Sequence, residues 1–200
     1  MLNYSLYVIE MQTVNYNSKI KEIYRNIRQI APELPYHNLK HLAEVSNSCK
    51  RYAILEGLNL RDTYILATAG LLHDIVFIPD RSDNEERSTE VSLNILSKLD
   101  YSSKDIDDVS RLILATKFPT NPKDILEKII CDADLDYLGR YDFPERSELL
   151  RKEKGIDRKK WYTEIQPSFL NQVKYYTSSA KKLREHVLKE NFEKVLKLKW

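Results

Sequence analysis

Glycine and proline are scarce in this chain, with four glycines and seven prolines in 200 residues. Tight reversals draw on both, so a many-stranded β-fold is disfavoured and long helices are favoured. Cysteine is scarcer still. Cys49 and Cys131 both fall inside apolar helical patterns, where reduced core thiols are expected rather than a bridge. No Ser/Gly linker, repeat or low-complexity tract divides the sequence, so one domain is expected. A strong charge of one sign is also missing. The formal net charge of +2 gives no bulk field of the kind that nucleic acid attracts. The longest apolar stretch, Tyr64 to Ile78, is broken by His73-Asp74 and falls short of the roughly 20 residues that span a bilayer. Met1 to Met11 lacks the basic start and apolar block of a secretory leader. A cytoplasmic protein is expected, with neither membrane nor nucleic acid as partner; homodimerisation stays open.

What is present is an ordinary globular composition, 42% hydrophobic and 31% charged, in a chain long enough to bury a core without staples. Apolar residues recur at helical spacing, so the expected class is all-α, a single-domain helical bundle. Residues 1–13 read either as a frayed arm or as a short strand. Helices are predicted over Ser18 to Ile30 and Leu39 to Glu56, the first ended by two prolines within Ala31 to Pro35. The next, Thr63 to Asp74 with Asp62 as cap, is apolar nearly all round and should lie at the centre. Ser88 to Leu99 follows, and Ser102 with Asp105 opens a helix ending before Pro119. Pro122 starts the helix that carries Asp134. Residues 36–140 would hold the functional core, and helices within 145–200 would pack back onto it. Pro167 should break or kink the segment Arg158 to Lys174.

The four histidines are unevenly placed, three of them at His37, His41 and His73. His37 and His41 stand four apart, on one face of a helix start. His73-Asp74 ends an apolar helix, where two ionisable groups are costly to bury without a charge partner. With Asp134, which shares a stripe with Leu126 and Ile130, they offer two imidazoles and two carboxylates for one divalent cation. A donor set of nitrogen and oxygen without thiolate suits Mn, Fe, Co, Ni, Zn or Mg. Asp132 and Asp136 alternate with Asp134 and cannot face the same ion. They read as partners of the coordinating groups or as exposed charges, with solvent the default for Asp136.

The order His41, His73-Asp74, Asp134 on successive helices resembles the HD superfamily of metal-dependent phosphohydrolases. Tyr36-His37-Asn38-x-x-His41 is similar to the signature shared by cyclic-nucleotide phosphodiesterases and a bacterial branch of predicted HD phosphohydrolases. Leu72-His73-Asp74-Ile75-Val76, Asp83-Asn84-Glu85-Glu86-Arg87-Ser88, Asp132 to Gly139, and Phe169-Leu170 with Tyr175-Tyr176-Thr177 are closest to that branch. The resemblance spans about Tyr36 to Lys189. It implies an HD-type bundle with His41, His73, Asp74 and Asp134 as metal ligands. His37 matches the histidine that protonates the leaving oxygen in the related phosphodiesterases. Glu85 and Glu86 match acidic residues that line the pocket or hold water. Relatives that carry a second metal have further histidines, one near Ala115-Thr116-Lys117; here Phe118-Pro119 follows, so one metal is implied.

The activity implied is hydrolysis of a nucleotide or another small phosphomonoester, the cation supplying an activated water and a grip on a phosphate oxygen. Asp74 or Asp134 would accept the water's proton and His37 would act as acid. Lys117, Arg140, Arg146 and Arg151 are candidate phosphate partners, though a charge of this kind is more often simply solvated. The thirteen tyrosines offer stacking surfaces for a base, or simply core. Three rivals stand beside this: a phosphodiesterase for a cyclic or linear nucleotide, a non-catalytic metal and nucleotide sensor, and a helical interaction module.

Overall fold

The computed structural model describes residues 2–198, with side chains from Asn15 onward. Ten α-helices fill the described chain: α1 (Leu2–Ile27), α2 (Leu39–Leu55), α3 (Leu60–Leu72), α4 (Asn84–Ser97), α5 (Ser103–Ala115), α6 (Ile125–Asp134), α7 (Phe143–Glu153), α8 (Arg158–Lys160), α9 (Gln166–Gln172) and α10 (Ser178–Leu196). A 3-10 turn, Asp136–Gly139, follows α6, and a π turn, Trp161–Ile165, joins α8 to α9. There is no strand among the described residues, only an isolated bridge between Glu33 and Asn38.

Helix α3 is the centre of the bundle. Tyr64 to Leu72 are all buried, as the apolar pattern predicts, and α1, α2, α4, α5 and α6 pack around them. It opens one turn earlier than expected, because Asn59 rather than Asp62 caps it: the Asn59 side chain accepts from the Asp62 N–H at 2.9 Å. Ser102 caps α5 as its spacing predicts, accepting from the Asp105 N–H at 3.2 Å. Asp124, not Pro122, opens α6.

Two local expectations change. Residues 2–13 are neither arm nor strand but the first half of α1, which runs unbroken to Ile27. Near Pro167 the chain avoids a simple break: the π turn comes first and Pro167 lies in the opening turn of α9, where its missing N–H leaves no orphan. Cys49 and Cys131 are free and buried. No helix among the described residues is long and apolar enough to cross a membrane.

Candidate metal centre

Three helix ends deliver the donors. Asn38, extended at the N-cap of α2, accepts from the N–H groups of Lys40 and His41 at 3.0 and 3.2 Å, which sets His41 in the first turn. Helix α3 ends at Leu72, so His73 and Asp74 leave its buried C-terminus and are themselves buried. Asp134 is the last residue of α6. Gly70 sets the approach of α2 to α3: a Cβ there would stand 2.9 Å from the Ser46 backbone.

The four side chains converge. His41 Nε2 lies 3.3 Å from His73 Nε2, 3.6 Å from Asp74 Oδ2 and 3.4 Å from Asp134 Oδ1. His73 Nε2 is 3.1 Å from Asp74 Oδ2 and 3.3 Å from Asp134 Oδ1. All four donors fall within 4.8 Å of one another. A tetrahedral ion with bonds near 2.05 Å has donor edges of about 3.3–3.4 Å, so the set fits one cation. The tautomer agrees. His73 Nδ1 faces the Gly70 carbonyl at 3.0 Å, and a carbonyl only accepts, so Nδ1 carries the proton and the Nε2 lone pair is free for a metal. With a metal-free centre, burial opposes charge on every group and mutual pairing overcomes it. His41 and His73 are then raised above the ordinary imidazole value, Asp74 is held well below the carboxylate range, and Asp134 is held at about 2. Protons stand in for the cation.

His37 joins this group from the loop before α2. Its Nε2 is 3.6 Å from Asp74 Oδ2, and its ring stacks on Phe77 with centroids 3.4 Å apart. Its Nδ1 is bonded to Glu153 Oε1, while Glu153 Oε2 accepts from the N–H groups of Tyr36 and His37 at 2.9 and 2.8 Å. The Glu153 side chain is fully enclosed. Burial pushes its carboxyl up, but the His37 ring and the two backbone donors hold it below the usual carboxylate range. Sequence reading missed Glu153 because Lys152 and Lys154 flank it, the pattern of a solvated helix face.

A cavity of about 340 Å³ adjoins the centre. His37, Asp74, Asp134, Glu85 and Lys154 give it polar lining, and Phe77, Phe118, Trp161 and Phe169 give it aromatic lining. Burial and the nearby Asp74 charge push the Glu85 carboxyl up. Glu86 does not line the cavity; it pairs with Lys117, and both are exposed. Nor do the three arginines considered as phosphate partners. Arg140 is paired with Glu44 and Asp142, and Arg151 with Glu148 and the Ile156 carbonyl. Arg146 is buried, bonded to Glu44 and stacked over the Tyr36 ring. Among the described residues Lys154 is the one lysine or arginine in that lining, and nothing in the sequence singles it out.

The neighbouring aspartates bind protein. Asp132 accepts from the Tyr176 and Thr177 N–H groups, each at 2.8 Å, and from the Thr177 hydroxyl at 2.7 Å. Asp136 is buried rather than solvated, gripped by Tyr52, Arg51 and Arg184.

Residues 38–136 match the family model of the HD domain. This is an HD-domain protein. The family is one of metal-dependent phosphohydrolases, and the four converging donors fit its chemistry. The HD fold extends beyond the matched segment. The crystal structure of Bacillus subtilis YpgQ in complex with ADP superposes with a TM-score of 0.68 at 18% identity, over 91% of this chain and 94% of that one. Another crystal structure of YpgQ gives a TM-score of 0.67 at 16% identity, over 90% and 94%. A selenomethionine form gives 0.66 at 16%, over 92% and 95%. No curated protein matches the sequence.

Proposed function

We propose that this HD-domain protein hydrolyses a phosphate ester or anhydride of a nucleotide. The observation that carries the reading is the set of four donors, His41, His73, Asp74 and Asp134, two of which, Asp74 and Asp134, line a cavity that also carries Phe77, Phe118, Trp161 and Phe169. A divalent ion held by these four would supply a polarised phosphate oxygen and an acidified water. The side chains do the rest. Asp74 and Asp134 both line the cavity, and one or the other accepts the proton of the attacking water. With His37 Nδ1 committed to Glu153, Nε2 is the nitrogen left to give a proton to the leaving oxygen. Lys154 draws the phosphate charge into the cavity, and its ammonium suits a point contact rather than a bidentate one. Phe118 and Phe169, with ring centroids 5.1 Å apart, form a face against which a base can rest. YpgQ, which shares the fold, binds ADP in its crystal, and this favours nucleotides over sugar phosphates.

The test is phosphate release from a panel of nucleotides and sugar phosphates with Mn²⁺, Co²⁺ or Ni²⁺. His73→Ala and Asp74→Ala should each remove bound metal and reduce turnover to background. Wild-type protein that binds metal but turns over no phosphorylated compound would move the reading to a sensor.

A further inference from the structure

A second large cavity lies away from the metal centre, in the groove between α1 and α2. It encloses about 380 Å³, and a smaller cavity of about 180 Å³ continues it, sharing Ile20 and Lys50. Three cations line the larger one: Lys21 and Arg25 from α1, and Lys50 from α2. None of them forms an ion pair or a side-chain hydrogen bond among the described residues. Lys21 and Arg25 are four apart, so their like charges repel across one helical turn. Lys50 is only partly exposed, and burial lowers its ammonium below the ordinary lysine value. The nearest carboxylate along α2, Glu44, is engaged by Arg140, Arg146 and Lys40. Asn47 adds a polar amide, and Ile20 and Leu71 supply an apolar floor.

Elsewhere in the fold arginines meet acids: Arg61 holds three aspartates and Arg111 reaches three acidic side chains. What sets Lys21, Arg25 and Lys50 apart is that all three converge on one cavity, where they complement an anion with several negative oxygens. The apolar floor adds a seat for an organic body. We propose that this groove binds a soluble phosphate-bearing small molecule, separate from the compound held at the metal centre. The groove also touches the helix pair that spaces the metal donors. Leu71 and Ser46 line it, Ser46 packs on Gly70, and the Gly70 carbonyl holds His73. Occupancy would thus bear on the packing of α2 against α3.

The experiment is calorimetric titration of the full chain with ADP in excess chelator, which removes any metal-mediated binding. The expected result is a binding isotherm that weakens at least tenfold in Lys21→Gln/Arg25→Gln and in Lys50→Met, while His73→Ala and Lys154→Met bind as wild type does. The first pair of changes lies on exposed positions, and Met keeps the Lys50 stem, so all variants should fold; circular dichroism checks this. Inorganic pyrophosphate should bind at the same site but more weakly, lacking the organic body. The proposal is overturned if ADP does not bind without metal, or if binding falls with Lys154→Met and not with the groove variants. It is overturned equally if only phosphatidylserine vesicles bind in a manner these substitutions abolish. Because the metal centre is disabled throughout, loss of this site and failure of the hydrolase reading give different results.

Discussion

Glu153 sits between two lysines at the end of a charged helix, yet it is the residue on which the orientation of His37 depends. Its carboxylate receives two backbone N–H groups and one ring nitrogen with no water exposed. Removing a charged acceptor from such a setting costs about 1–3 kcal/mol. The folded carboxyl is held below its ordinary value of 4.5. Its stabilisation is therefore complete above about pH 4.5 and is lost as pH falls through the lower folded value. Urea unfolding should find Glu153→Gln less stable than wild type at pH 7, with the gap closing below pH 4.5. If His37 is the acid, the same substitution should lower kcat by about 10²-fold while leaving KM little changed. A gap that stays constant down to pH 3 would rule out this account of Glu153.

His41, His73, Asp74 and Asp134 were readable because ionisable groups ending apolar helices need a partner, and four of them imply a shared one. Lys154 and Glu153 were not, since charge on an amphipathic helix is ordinarily solvated. Arg140, Arg146 and Arg151 looked equally available in sequence; only the fold assigns them to Glu44, Asp142 and Glu148.

Among the elements, α2 and α3 form the pair that sets the donor spacing. Their contact has no room for a methyl group at Gly70, where the Ser46 Cα and N would lie 2.9 Å from an added Cβ. Both clashing atoms are backbone, so the helices must separate. Gly70→Ala should destabilise by about 1–3 kcal/mol or more. It should also weaken Mn²⁺ binding, because His41 and His73 ride on the two displaced helices. Thermal unfolding and metal titration together check this; a variant that loses stability but keeps metal affinity would show that the spacing is set elsewhere. Helix existence and order followed from periodicity, and boundaries moved by a few residues where a nearby side chain capped better. The start of α1 was unreadable for a physical reason. Tyr7, Val8 and Ile9 favour extended backbone locally, and continuation of an established helix overrides that preference.

For the whole molecule, a cation at the centre would replace the protons that otherwise hold four opposed donors together. A ligand bound only by the native state stabilises by about 2.7 kcal/mol at a hundredfold excess over its Kd. At this chain length that corresponds to a rise in Tm of roughly 5–10 °C. Metal-loaded protein should lose that increment on chelation and regain it with Mn²⁺, whereas His73→Ala should show no change in either step. An unchanged Tm would sink the metal reading of the whole fold. The all-α class was evident from composition and periodicity, and the match to the HD domain agrees with it.

The end of α6 carries three alternating aspartates, and only the middle one turns to the cavity. Asp132 on one side grips the start of α10 through Thr177, and Asp136 on the other grips Arg184 within it. Asp134 is thus held in place from both flanks by a segment that lies 44 to 48 residues further along the chain. The ribosome delivers that segment well after the four donors, so a nascent chain stalled short of it would lack both of the grips that flank Asp134.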